Sequence, residues 1–136
     1  MAVLDTTVLI DLSRRPDSSF HARARIAVSR LLAADQSLFT SRINEAEFRV
    51  GPEMAGDRER ELDRVERILA GVVILEFDAL AAICYAVIKA AMFKRGRPVG
   101  DCDALIASIC IANGQTLLTR NPKHFDGIPG LSVNSY

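Results

Sequence analysis

Five short runs of branched or apolar residues recur along the chain: AVL at 2–4, SLFTS at 37–41, VVILEF at 72–77, TLLT at 116–119 and LSV at 131–133. Helix-length segments separate them. Strands that read as unbroken apolar runs, rather than alternating with polar residues, are covered on both faces, and a helix between successive strands is the crossover that parallel pairing needs. The pattern predicts a three-layer α/β/α sandwich with a mostly parallel central sheet.

The intervening segments carry helical signals. RERELDRVERILAG at 58–71 places Leu62, Val65, Ile68 and Leu69 on one face with charge opposite, and RARIAVSRLLAA at 23–34 also reads as helix. A helix over 79–95 starts after Asp78, a suitable N-cap, and stops at Gly96; Leu80, Ile83, Cys84, Val87 and Ala91 are its expected inward face. DALIASICIANG at 103–114 is apolar almost all round, which predicts a buried helix. No loop has the length of a linker, so residues 1–136 read as one domain, enough to bury roughly two-thirds of the surface its unfolded chain exposes.

Composition excludes several classes. Seventeen basic and seventeen acidic residues cancel, so net charge neither requires nor forbids a nucleic-acid partner. Cys84, Cys102 and Cys110 are odd in number and lack a CxxC pair, which argues against a disulfide framework or thiolate zinc and for reduced core thiols. With no signal-peptide pattern and no apolar run near the ~20 residues a membrane span needs, the expected location is the cytoplasm and no membrane partner is expected. HExxH, GxSxG, GxxxxGK[ST] and GxGxxG are all missing. His21 and His124 are lone and read as surface or loop histidines.

What remains is carboxylate chemistry. Parallel sheets bind ligands outside the carboxyl ends of their strands, and Asp5 follows the first strand directly. It either caps the helix begun by TVLIDL or serves a site; Asp11 reads as a solvated or arginine-paired helix residue. In SRINEAEFRVG, Glu45 and Glu47 lie about 200° apart on a helix, so only one can face inward. Glu47 shares its face with Ile43 and Val50, whereas Glu45, four residues before Arg49, is expected in an exposed ion pair. In VGDCDALIAS, Asp101 is assigned as helix cap, leaving Asp103 in the first turn and aimed at the sheet edge. Asp5, Glu47 and Asp103 thus come from separate segments to one edge. Three neighbouring carboxylates repel unless a cation offsets them, and an oxygen-only ligand set suits Mg²⁺ or Mn²⁺.

VLDTTVLIDL, INEAEFRVG, GDCDALIASICIANGQTLLTRN and HFDGIPGLSV, in that order, resemble the PIN-domain ribonucleases, and among them the VapC toxins of VapBC toxin-antitoxin modules. The resemblance spans nearly the whole chain. It implies a PIN-like fold and metal-dependent endonucleolytic cleavage of RNA leaving 5′ phosphate and 3′ hydroxyl ends. It further implies Asp5, Glu47 and Asp103 as site acids and Mg²⁺ (or Mn²⁺) ligands, a homodimer, and inhibition by a VapB-type antitoxin whose C-terminal segment lies across the groove. Two positions depart from the family pattern. Thr7, beside Thr6, stands where Asn is common, and Asn121 stands where a fourth acid is frequent, with Thr119 a supporting hydroxyl.

Two other readings use the same residues. An aspartate-nucleophile phosphatase would also place an acid after the first strand, but would have a second acid where Thr7 stands. A PIN-like module that binds RNA or protein without cutting would be consistent with Asn121.

Overall fold

The computed structural model describes all of residues 1–136. Its strands are β1 (Ala2–Leu4), β2 (Leu38–Ser41), β3 (Val73–Leu75), β4 (Thr116–Thr119) and β5 (Val133–Ser135). They form one sheet of order β3-β2-β1-β4-β5, with every pairing parallel. The helices are α1 (Thr6–Ser13), α2 (Ser19–Ala33), α3 (Arg42–Met54), α4 (Arg58–Leu69), α5 (Ala79–Lys94) and α6 (Asp101–Ala112), with a 3-10 turn at Pro122–Phe125. The three-layer α/β/α expectation holds.

Successive strand residues point to opposite faces, and that alternation divides the core in two. Val3 and Leu117 enter a cluster with Ile88 and Met92 of α5 and Ala104, Ile106, Ala107 and Cys110 of α6. Leu4 and Leu118 enter the other, with Val8 and Leu9 of α1, Phe48 of α3 and Val65 and Leu69 of α4. The chain builds outward from β1 through β2 to β3, then returns to place β4 on the other side of β1. The direction of build therefore reverses between β1 and β4. That is the position where open α/β sheets form a crevice at their carboxyl ends.

Several local expectations change. The final strand begins at Val133, not Leu131, because Gly130 turns the chain at φ +81° and Leu131 packs against the core before Leu117 pairs with Val133. On α5 the inward residues are Ala81, Ile88 and Met92, while Leu80, Ile83 and Val87 are exposed. The helix is apolar nearly all round, so periodicity could not say which side meets the sheet. Asp78 does cap it, accepting from Ala81 N at 2.9 Å. Cys110 is a core thiol whose pKa burial pushes up to about 12, but Cys84 is half-buried and Cys102 exposed. No helix is long and apolar enough to cross a membrane.

Candidate active site

Asp5 is the hinge between β1 and α1. Its N–H donates to Leu118 O at 3.0 Å, and its carbonyl accepts from Val8 N and Leu9 N. Although it occupies the N-cap position, its carboxylate caps nothing. Oδ2 instead accepts from Thr119 Oγ1 at 2.7 Å and Thr7 Oγ1 at 3.0 Å, while Oδ1 accepts from Asn44 Nδ2 at 3.0 Å. The capping alternative for Asp5 is thereby set aside. A buried acid is held by donors from the first turns of α1 and α3 and from the end of β4.

Asn44 is the member that sequence reasoning missed. Its second Nδ2 hydrogen goes to Thr6 Oγ1 at 2.9 Å, and its Oδ1 closes a capping box with Ser41, whose Oγ accepts from Asn44 N at 3.1 Å. The signal was present as Ser41-x-x-Asn44, a short-amide version of the usual Ser-x-x-Glu box. Thr40 adds a bond from Oγ1 to Leu4 O at 2.8 Å, fastening β2 beside β1. On the other side, Asn121 N donates to Thr119 Oγ1 at 3.0 Å and Arg120 N to Thr7 Oγ1 at 3.1 Å. The loop after β4 is thus fixed by the two hydroxyls that hold Asp5. Asn121 itself is exposed at the rim.

Glu47 and Asp103 complete the acidic edge. Burial, followed by the charges of Asp5 and Asp103, pushes the Glu47 carboxyl above its ordinary 4.5. Burial likewise raises Asp103 above 3.8, with His124 opposing and Asp5 reinforcing the shift. The three acids therefore act on one another's charge. Most of the other acids on α3, α4 and α6 have cationic partners: Glu45 holds Arg49 and Arg42, Glu66 holds Arg49, and Asp101 holds Lys89 at 2.8 Å. Glu47 has none, and Asp103 faces only His124 Nδ1, at 3.8 Å. The arrangement is open: no three His, Cys, Asp or Glu side chains are already drawn together as a cage for an ion. The donor chemistry nevertheless suits a hard divalent cation, since all three are carboxylates and such ions complete their shell with water and substrate oxygens.

Other acids fall elsewhere than expected. Glu45 pairs with Arg49 but is buried, because the inward stripe of α3 runs through Asn44, Glu45, Phe48 and Pro52. Val50 is exposed, and Glu47 borders the crevice outside the core. Asp101 is the first helical residue of α6, whose cap is Gly100. Asp11 is arginine-paired as expected but wholly buried.

The PIN domain profile matches residues 2–131. The chain belongs to the PIN-domain family. Among its relatives, Ribonuclease VapC2 of Rickettsia felis is 28% identical over 135 residues, covering 98% of this chain and 96% of that protein. The tRNA(fMet)-specific endonuclease VapC of Salmonella typhimurium is 28% identical over 134 residues, with coverage of 98% and 96%. The crystal structure of VapBC2 from Rickettsia felis bound to a promoter DNA fragment superposes with a TM-score of 0.86 at 26% identity, covering 99% of this PIN-domain chain and 98% of that one.

Proposed function

We propose that residues 1–136 act as a single PIN domain with the activity of a VapC-type endoribonuclease, the toxin of a type II toxin-antitoxin pair working in the cytoplasm. The observation that carries the proposal is the set of acids left without arginine or lysine partners at the carboxyl edge of a parallel sheet, in a chain where most neighbouring acids have one. Asp5, Asp103 and Glu47 would hold Mg²⁺ (or Mn²⁺). When bound, the ion supplies a more acidic water and neutralises charge on the phosphodiester. Hydrolysis of the P–O3′ bond leaves the water oxygen on phosphorus and returns a proton to O3′. Thr119, Thr7 and Asn44 fix the orientation of Asp5, so it does not reorganise during the reaction. Glu47, which has no cationic partner, would complete the ion's ligand set directly or through a bound water.

Two protein contacts belong to the proposal. A cavity of about 280 Å³ beside Glu47 is lined by Ile10, Phe48, Pro52 and Val65 with Glu61 and Arg64 at its margin, and a VapB-type antitoxin segment would occupy it. The apolar face of Leu80, Ile83 and Val87 on α5 supports a homodimer. The proposal is tested by incubating the protein with single-stranded and structured RNA in Mg²⁺ or Mn²⁺. Cleavage that stops in EDTA and in Asp5→Asn is expected. RNA left intact under all conditions overturns the nuclease and leaves a binding module.

A further inference from the structure

Asp11 is a wholly buried acid that the cleavage chemistry does not use. Its Oδ1 meets Arg14 Nε at 2.9 Å and Arg120 Nη1 at 3.3 Å, and its Oδ2 accepts from the Tyr136 hydroxyl at 2.8 Å. The ring of Phe20 lies 5.0 Å from the Arg14 guanidinium carbon and 4.5 Å from that of Arg120. Two guanidiniums share one carboxylate, so positive charge is left over. Arg120 is held on one edge by Asp11 and on one face by Phe20, while its remaining N–H groups have no protein acceptor.

Arg120 also lines a cavity of about 340 Å³ together with Asn121, Pro122, Lys123 and His124, polar apart from the proline. Lys123 is exposed and has no carboxylate partner. The cavity adjoins the acidic edge twice: His124 faces Asp103 at 3.8 Å, and Thr119, which bonds Asp5, immediately precedes Arg120. A cationic recess beside an acidic centre suits a ligand carrying several phosphates in a row, one at the acids and the next at the cations.

We propose that this recess is a phosphate subsite that grips the RNA backbone next to the bond being cut, with Arg120 pre-oriented by Asp11 and Phe20 and Lys123 as the second cation. The inference rests on the ribonuclease reading for its substrate. Arg120 contributes a planar fork suited to phosphate oxygens, and Lys123 contributes a point charge.

The test is fluorescence anisotropy with a labelled single-stranded RNA in EDTA over a range of salt concentrations. Each lost phosphate contact lowers the magnitude of the slope of log K against log salt by about 0.7. Lys123→Gln and Arg120→Gln are each expected to do so, and Arg120→Lys to keep the slope while weakening binding. Lys123→Gln touches no buried group, which guards against a misfolded Arg120 variant; circular dichroism verifies both. Unchanged slopes in folded variants overturn the subsite. RNA cut normally with unchanged slopes sinks the subsite alone. RNA bound through these two residues but never cut with Mg²⁺ or Mn²⁺ sinks the nuclease and supports the subsite.

Discussion

Thr119 Oγ1 and Asp5 Oδ2 lie 2.7 Å apart although 114 residues separate them in sequence. The pairing of Leu4 with Leu118 brings the next residue of each strand side by side. Thr119→Val keeps the shape and removes the donor to Asp5 and the acceptor for Asn121 N. Groups that orient a metal-ligating side chain typically cost about 10- to 100-fold in activity when removed. Turnover on RNA is expected to fall in that range with the fold retained, as read by thermal unfolding; unaltered turnover counts against the positioning role.

Asn44→Ala removes the side-chain half of a capping box, while Ser41 still accepts from the backbone N–H at that position, and leaves Asp5 Oδ1 and Thr6 Oγ1 without their shared donor. A buried acceptor stripped of its donor costs about 1–3 kcal/mol. Denaturant titration should show a loss of about 1–3 kcal/mol. A loss under about 0.5 kcal/mol, the scale of an ordinary surface change, contradicts the network.

Glu47 and Asp103 bind protons more tightly in the folded chain than their ordinary values of 4.5 and 3.8 allow. The folded state therefore holds more protons than the unfolded one between those values and the raised ones. Stability contributed by these groups falls as pH rises through that window and stays low above it. Glu47→Gln removes one repelling charge. Because Glu47 is partly solvated, the metal-free variant should gain only about 0.5 kcal/mol at pH 7, on the order of 2 °C in melting temperature. The gain should vanish at low pH. A lower melting temperature at neutral pH in EDTA contradicts the repulsion.

Ile83 and Val87 are 63% and 59% exposed on the outer face of α5. If that face joins two copies, Ile83→Glu with Val87→Glu converts a dimer to a monomer in sedimentation analysis while helicity is kept. A mass unchanged by the double substitution places any interface elsewhere.

The layers were legible because parallel strands buried on both faces leave unbroken apolar runs, and because Asp78 and Gly96 punctuate α5. Orientation was harder to read. On α5, hydrocarbon on every side concealed that Ile88 and Met92, rather than Ile83 and Val87, meet the core. On α3, buried Glu45 and Asn44 broke the rule that the apolar stripe faces inward. Asp5 could be singled out from one sequence, since an acid after a buried strand demands an explanation. Asn44 could not, because its role depends on β2 lying beside β1, which is a matter of strand order rather than of local pattern.

The first strand pairs with neighbours that begin at Leu38 and Thr116. Synthesis therefore delivers Asp5 before its partners, and one of its three hydroxyl or amide clamps arrives only with Thr119. A nascent chain halted before that point lacks β4 and leaves the Asp5 carboxylate without its shortest hydrogen bond. The assembled edge is thus a late product of synthesis, completed only when segments more than a hundred residues apart have been joined.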